Sequence, residues 1–277
     1  MSSLVIHSHT QSLLVHMQAQ LPHAILLAGP EGVGLMTIAR AYCTTPSAPV
    51  LTVLPEKDEK VDIEKGTITI QSVRRLYDAT RTVAPQGRTI IIDYAERMAL
   101  PAQNAFLKLL EEPTAGTRFV LVSHRPDTLL PTILSRVQRV DVRPVTRRQS
   151  EALLDTLKVT DATKRAQLLF IAEGLPAELC RLSADDAAFE ARAALVKDAR
   201  QFISGTAYQR LLLAKKYKDS RTDALCLVED ALKQLRQSLA VSGDDAVLAA
   251  IARYEALHKR LSEQGNVRLQ LSAASML

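Results

Sequence analysis

Residues 89–140 read TIIIDYAERMALPAQNAFLKLLEEPTAGTRFVLVSHRPDTLLPTILSRVQRV. The run Ile90-Ile91-Ile92 is continuously apolar and ends in Asp93, the pattern of a strand buried on both faces. A helical segment follows around Asn104–Leu110 and must stop before Pro113, which cannot donate the next backbone hydrogen bond. A second apolar strand, Phe119–Val122, ends in Ser123. Pro131 then opens a short helix that delivers Ser135-Arg136. Strand, helix, strand, with polar residues at both strand ends, is the layout of a nucleotide site in a doubly wound α/β sheet.

Upstream, the apolar segment His23–Gly29 predicts a further buried strand. It enters GPEGVGLM, whose Gly29 and Gly34 fit the frame G-x-x-x-x-G-K-[ST]. The lysine position of that frame is Leu35 and the hydroxyl position is Met36. In a working phosphate loop the lysine neutralises the β- and γ-phosphates and the hydroxyl ligates Mg²⁺. Leucine and methionine do neither. Thr37 comes one residue late, about 100° round a helix from the metal. Gly29, Gly32 and Gly34 therefore mark a degenerate, vestigial phosphate loop, although a following helix N-terminus would still present backbone N–H groups.

NAFLKLLEEP, then a strand, then LPTILSRV resembles the bacterial DNA polymerase III clamp-loader subunits, members of the AAA+ class, and the resemblance covers most of the chain. Within that family the details look most like the delta-prime branch, which does not hydrolyse ATP; the terminal NVRLQLSAASML adds to this. The resemblance implies an AAA+ α/β domain over 1–144, a helical lid over 145–184 and a helical-bundle collar over 185–277. An ATP-hydrolysing member ends the central strand with an Asp and an adjacent Glu; this chain has Asp93-Tyr94-Ala95-Glu96. Tyr94 stands at the catalytic glutamate's place, and a phenol of pKa about 10 is a poor base at neutral pH. Asp93 alone reads as a strand-end residue capping the next turn. Ser123 falls at the family's first sensor position, and equally reads as a strand-end hydroxyl. The family's sensor arginine would fall where this chain has Ala177 and Glu178, with Arg181 one turn later.

Arg136 matches the family motif. Ser135-Arg136-Val137 stands where the family has Ser-Arg-Cys, whose arginine reaches into a neighbouring subunit's ATP site; the bland alternative is a local pair with a carboxylate. The function implied is a non-catalytic loader subunit that supplies an arginine finger in trans. Its partners would be the gamma/tau ATPase and delta subunits, with the sliding clamp and primer-template DNA reached through the complex. ATP and Mg²⁺ would belong to neighbours, with no cofactor of its own. The alternatives are an active loader ATPase, whose signature would be lysine at 35 and glutamate at 94, and an AAA+-derived scaffold outside replication.

The remaining sequence fits a largely helical protein. Hydrophobic residues make up 47% and aromatics 4% with no Trp, and no apolar run approaches membrane-span length. The N-terminus has no signal-peptide pattern, so a cytoplasmic location is expected. The charge of +5 is dispersed and fits an ordinary basic protein as well as a neighbour of nucleic acid. Cys43, Cys180 and Cys226 are far apart, which predicts free thiols and none of the four-cysteine zinc modules common in the family. Residues 8–20 predict a helix capped by Ser8 or Thr10, Pro46–Lys60 a loop, and residues 61–80 an extended segment followed by a helix from near Ser72. Pro85–Gly87 reads as a turn. QSEALLDTL, ATKRAQLLFIAEG and LPAELCRLSAD predict three short helices. Two apolar stripes follow: Leu225, Val228, Leu232, Leu235 and Leu239, then, after Ser242-Gly243-Asp244, Val247, Ile251, Tyr254, Leu257 and Leu261. Lys215, Lys216 and Lys218 read as a solvated basic face.

Overall fold

The computed structural model describes residues 4–20, 22–43, 48–263 and 265–275. The chain divides into two compact units, Met1–Ser183 and Ala184–Leu277. The segment expected as a lid lies within the first. The strands are β1 (Ala24–Ala28), β2 (Val50–Val53), β3 (Glu56–Lys57), β4 (Lys60–Val61), β5 (Arg88–Ile92), β6 (Thr117–Ser123) and β7 (Gln138–Asp141). The helices of the first unit are α1 (Ser8–Gln20), α2 (Leu35–Tyr42), α3 (Ile70–Thr80), α4 (Leu100–Glu111), α5 (Pro131–Leu134), α6 (Arg147–Thr156), α7 (Ala162–Ala172) and α8 (Pro176–Ala184).

Five strands form one sheet in the order β2-β5-β6-β1-β7, each adjacent pair parallel. Successive side chains of a strand point to opposite faces, so the continuous isoleucine run serves two cores. Ile90 and Ile92 join Leu26, Phe119 and Leu121 beneath α3, α4 and α5. Ile91 joins Ile25, Leu27, Val120 and Val122 beneath α1 and α2. Phe106 of α4 and Phe119 of β6 meet edge to face with ring centroids 5.2 Å apart. The register pairs Ala28 with Ser123 and Ile92 with Leu121. The residues that follow β1 and β5 therefore share one rim with the end of β6.

Three local expectations need correction. The stretch Pro46–Lys60 is not a loop throughout: VLTV forms β2, parallel to β5. The prolines at 49 and 55 bracket a strand at the sheet edge, where missing N–H donors are tolerated; Pro46 lies outside the described residues. The charged run after it closes a small antiparallel hairpin, β3–β4, turning through Asp58 and Glu59 in the left-handed region. Neither Ser8 nor Thr10 caps α1. The carbonyl of His7 accepts the Gln11 N–H at 2.9 Å and its ring Nδ1 accepts the His9 N–H at 3.2 Å. Thr10, fully buried, instead accepts the Arg143 N–H. Helix α3 begins two residues earlier than expected, because Thr69 is the cap and its hydroxyl accepts the Ser72 N–H.

The second unit comprises α9 (Asp186–Ser204), α10 (Ala207–Lys216), α11 (Arg221–Ser242), α12 (Asp245–Ser262) and α13 (Val267–Ser275). Val228, Leu232, Leu235, Ile251, Leu257 and Leu261 are buried together, with Leu225, Leu239, Val247 and Tyr254 packed against them. The two sequence stripes thus meet in one core, to which Phe202 of α9, Leu213 of α10 and Leu271 of α13 also contribute. Gly243, at φ 63°, ends α11, and the Asp244 carboxylate caps α12 through the Ala246 N–H at 2.9 Å. Arg192 holds the buried Asp230 carboxylate with both guanidinium nitrogens. In the basic stretch, Lys216 pairs with Asp198 and Lys218 lies 3.7 Å from Asp219. Cys43, Cys180 and Cys226 are free thiols. Among the described residues no cluster of three or more His, Cys, Asp or Glu could hold a metal, and no helix is long and apolar enough to cross a membrane.

Candidate functional site

The phosphate-loop frame lies where the sequence puts it, between β1 and α2. Gly29 N–H donates to the Ser123 carbonyl, which ties the loop's first residue to the end of β6. Gly34 supplies the first helical carbonyl, accepting the Ile38 N–H at 3.0 Å. The chemistry of the loop is apolar. Leu35 is 2% exposed and packs with Val33, Ile38, Val140 and Val142, while Met36 lies partly buried against the same cluster. A lysine at 35 would put its ammonium into that core at a desolvation cost with no partner to offset it. Of the two positions that should meet phosphate and Mg²⁺, 35 is hydrophobic core and 36 packs against it.

The loop is also closed from outside. The N–H groups of Ala177 and Glu178, in the first turn of α8, both donate to the Gly32 carbonyl, at 2.9 and 3.1 Å. Gly32 has φ +83°, and a Cβ built there would stand 3.0 Å from the Cβ of Glu178. Free amides at a helix N-terminus are its anion-binding capacity. Here two of them are spent on the chain's own loop. The side chain of Glu178 is held in turn by Arg181 at 2.7 and 2.8 Å, so that arginine pairs locally. The side chains of Leu35 and Met36 supply neither the charge that a bound triphosphate needs nor an oxygen for Mg²⁺, so this donor set does not fit a nucleotide with its metal.

At the strand ends, Asp93 is 8% exposed and accepts its neighbour Tyr94's N–H at 3.0 Å, the turn-capping role. Burial pushes its carboxyl pKa up, opposed by that hydrogen bond and by His124. Tyr94 takes a left-handed conformation, φ 51° and ψ 49°, and burial, then Asp93, raises its phenol pKa. The phenol is therefore held in its protonated form at neutral pH. Ser123 is fully buried, its hydroxyl accepting the Arg125 N–H at 3.2 Å, so it too caps a strand end. The organising residue the sequence did not single out is His124. Its Nδ1 lies 3.0 Å from the Gly29 carbonyl, its backbone N–H donates to Glu96 at 3.3 Å, and its ring meets Tyr94 edge-on at 5.5 Å. A carbonyl only accepts, so Nδ1 carries the proton. Its place directly after Ser123, at a strand end, was the available signal.

Arg136 stands apart from this cluster. It follows α5 and is partly exposed; its guanidinium reaches Glu111 at 2.8 Å, the Thr132 carbonyl at 2.9 Å and the Ser135 hydroxyl at 3.3 Å. The local carboxylate pair of the bland reading is therefore present in this chain by itself. The structure gathers Gly29, Asp93 and Ser123 on one rim, and sets Arg136 beside the C-terminal end of α4.

Comparison with known proteins adds the following. Residues 47–146 match the family described as DNA polymerase III, delta subunit. The chain is similar to DNA polymerase III subunit delta' of Pseudomonas aeruginosa, 33% identical over 192 residues, covering 60% of this chain and 57% of that one. It is also similar to subunit delta' of Bacillus subtilis, 38% identical over 108 residues, covering 39% of this chain and 32% of that one. The chain thus spans about half the length, or less, of these relatives. Among solved structures it resembles a DNA polymerase III gamma subunit-related protein from Thermotoga maritima, with TM-score 0.55, 19% identity and coverage of 96% and 97%. That likeness shows the fold alone, a parallel α/β sheet domain continued by helices.

Proposed function

We propose, on the premise that this chain is a delta-prime-like member of the DNA polymerase III clamp-loader family, that it serves the loader without hydrolysing ATP itself. The observation that carries this reading is the collapsed phosphate loop, with Leu35 in the core and α8 hydrogen-bonded to the Gly32 carbonyl. Tyr94 in place of a carboxylate base supports the same conclusion. ATP and Mg²⁺ are then held by neighbouring gamma/tau-type subunits. This chain contributes Arg136 to one of their sites and contacts the delta subunit, and the assembled cytoplasmic complex handles the sliding clamp and primed DNA.

A guanidinium aimed at a transferring γ-phosphoryl stabilises its developing charge, and a supplied finger contributes about 10³ to 10⁵ in rate in other NTPases. The partial exposure of Arg136 beside the C-terminal end of α4 supports a role outside this chain. The test is the DNA- and clamp-stimulated ATPase of the reconstituted loader with no added chain, wild type, or Arg136→Ala. Wild type raises the rate; the alanine variant assembles and loses most of the gain. Equal behaviour of the two proteins would make Arg136 structural and the chain a scaffold. ATP turnover by the isolated chain above a contaminant control would refute the reading of Leu35 and Tyr94.

A further inference from the structure

Arg136 is the last residue of a short lever whose geometry depends on α4. The lever's start is pinned by Gln103, 5% exposed, whose Oε1 accepts the Leu130 N–H at 2.8 Å while its Nε2 donates to the Met98 carbonyl at 3.1 Å. Below it, Ile133 and Val137 are buried in the core shared with Phe106 and Leu110 of α4. This packing brings the C-terminal end of α4 alongside Arg136.

A guanidinium is a planar fork, and its orientation is fixed only when donors on both arms are engaged. One arm of Arg136 donates to the Thr132 carbonyl and the Ser135 hydroxyl, both on its own short segment. The other arm donates to Glu111 Oε1 at 2.8 Å. Glu111 ends α4 just before Pro113. Local contacts alone would let the side chain swing with its four-residue helix; the carboxylate ties it to the domain.

We infer that Glu111 is a positioning residue for Arg136, holding the guanidinium plane in the orientation in which it meets a neighbour's γ-phosphate. The inference rests on the trans-finger reading of Arg136 and deepens it. The Glu111 side chain is 47% exposed and Arg136 37%, so the pair adds little to folding. Its value is in geometry, where a misplacement of about 1 Å is costly in rate.

The experiment titrates wild type, Arg136→Ala, Glu111→Ala and Glu111→Gln into the reconstituted loader. It measures the maximal stimulated ATPase rate and the concentration of chain giving half of it. Glu111→Ala is expected to lower the maximal rate about three- to tenfold with an unchanged half-saturating concentration. Glu111→Gln, whose amide oxygen still accepts from the guanidinium, recovers at least half of the loss. Three outcomes overturn the inference while Arg136→Ala remains deficient. They are a wild-type rate for Glu111→Ala, a change confined to half-saturation, which marks a docking role, or a raised rate, which marks a carboxylate that restrains the finger. A wild-type rate for Arg136→Ala instead removes the finger reading, and this inference with it.

Discussion

Replacing Gly32 with alanine isolates the contact that closes the phosphate loop. The backbone there has φ +83°, and an L-residue in the left-handed region costs about 1–2 kcal/mol. The added methyl stands 3.0 Å from the Glu178 Cβ, which is backbone-anchored and cannot rotate away. Helix α8 must then give by a few tenths of an ångström, weakening the Ala177 and Glu178 hydrogen bonds to the Gly32 carbonyl, which are worth about 1 kcal/mol each. The expected destabilisation is about 2–4 kcal/mol. Gly243→Ala is the control, because that residue is also left-handed, at φ +63°, but has nothing within 4 Å of the built Cβ. It should show the backbone cost alone, about 1–2 kcal/mol. Urea unfolding of the full chain, followed by circular dichroism, gives the two stabilities. Backbone amide exchange then asks where protection is lost, and Gly32→Ala should expose the first turn of α8 selectively. If Gly32→Ala costs no more than Gly243→Ala and leaves α8 protected, the docked helix is not what closes the loop.

Three further outcomes follow from the same structure. Phe106→Ala removes a fully buried ring that packs edge to face on Phe119 and should cost about 3–5 kcal/mol in urea unfolding; a loss under about 1 kcal/mol would mean that the sheet and α4 repack around the gap. Arg192→Ala removes two guanidinium hydrogen bonds from the buried Asp230 carboxylate. With Arg192 itself 27% exposed, the expected cost is at the low end of about 3–5 kcal/mol, and Arg192→Ala combined with Asp230→Ala should cost less than the single change. Burial pushes the Cys43 thiol up to about 11. The folded state therefore holds that proton after the unfolded thiol, near 9, has released it. Its contribution to stability is complete below about pH 9 and declines as pH rises through about 11. Alkylation at pH 8 should modify the exposed Cys180 in the native chain and Cys43 only after unfolding, a contrast that mass mapping of the labelled thiols decides.

The parts of the fold legible in the sequence are those where one physical requirement acts over several neighbouring residues. A continuous apolar run such as Ile90–Ile92 is buried on both faces, and the stripes of α11 and α12 each mark a face that must be covered. The apolar residues at 35 and 36 were equally plain, because no conformation gives leucine a charge. What escaped depends on distant partners. The edge strand β2 has four residues between prolines and becomes a strand only by pairing with β5, so its local signal is that of a loop. His124 carries no motif; its role arises because the register sets Ser123 beside Ala28 and so brings the ring to the Gly29 carbonyl. Gln103 reads as a polar residue on a helix, and its burial between Met98 and Leu130 follows from the placement of α5.

The degenerate loop also separates two things that its motif ordinarily joins. In a nucleotide site the glycines admit phosphate close to the backbone, while the lysine and hydroxyl supply charge and metal ligation. Here the second function has no residues, yet the loop's glycines have work that needs no phosphate. A Cβ on Gly29 would stand 2.8 Å from the Val142 carbonyl oxygen, so only glycine lets the strand end pass the segment after β7. Gly32 takes a left-handed turn under Glu178 and offers its carbonyl to the two α8 amides. Close approach is thus required by the chain itself, whereas a lysine at 35 would have been an unpaired charge in the core. On the same argument, Leu35→Lys alone is expected to give no nucleotide site in an equilibrium binding measurement. The carbonyl of Gly32 would still engage α8, position 36 would still offer no hydroxyl for Mg²⁺, and the new ammonium would enter the core beside Val33 and Val142.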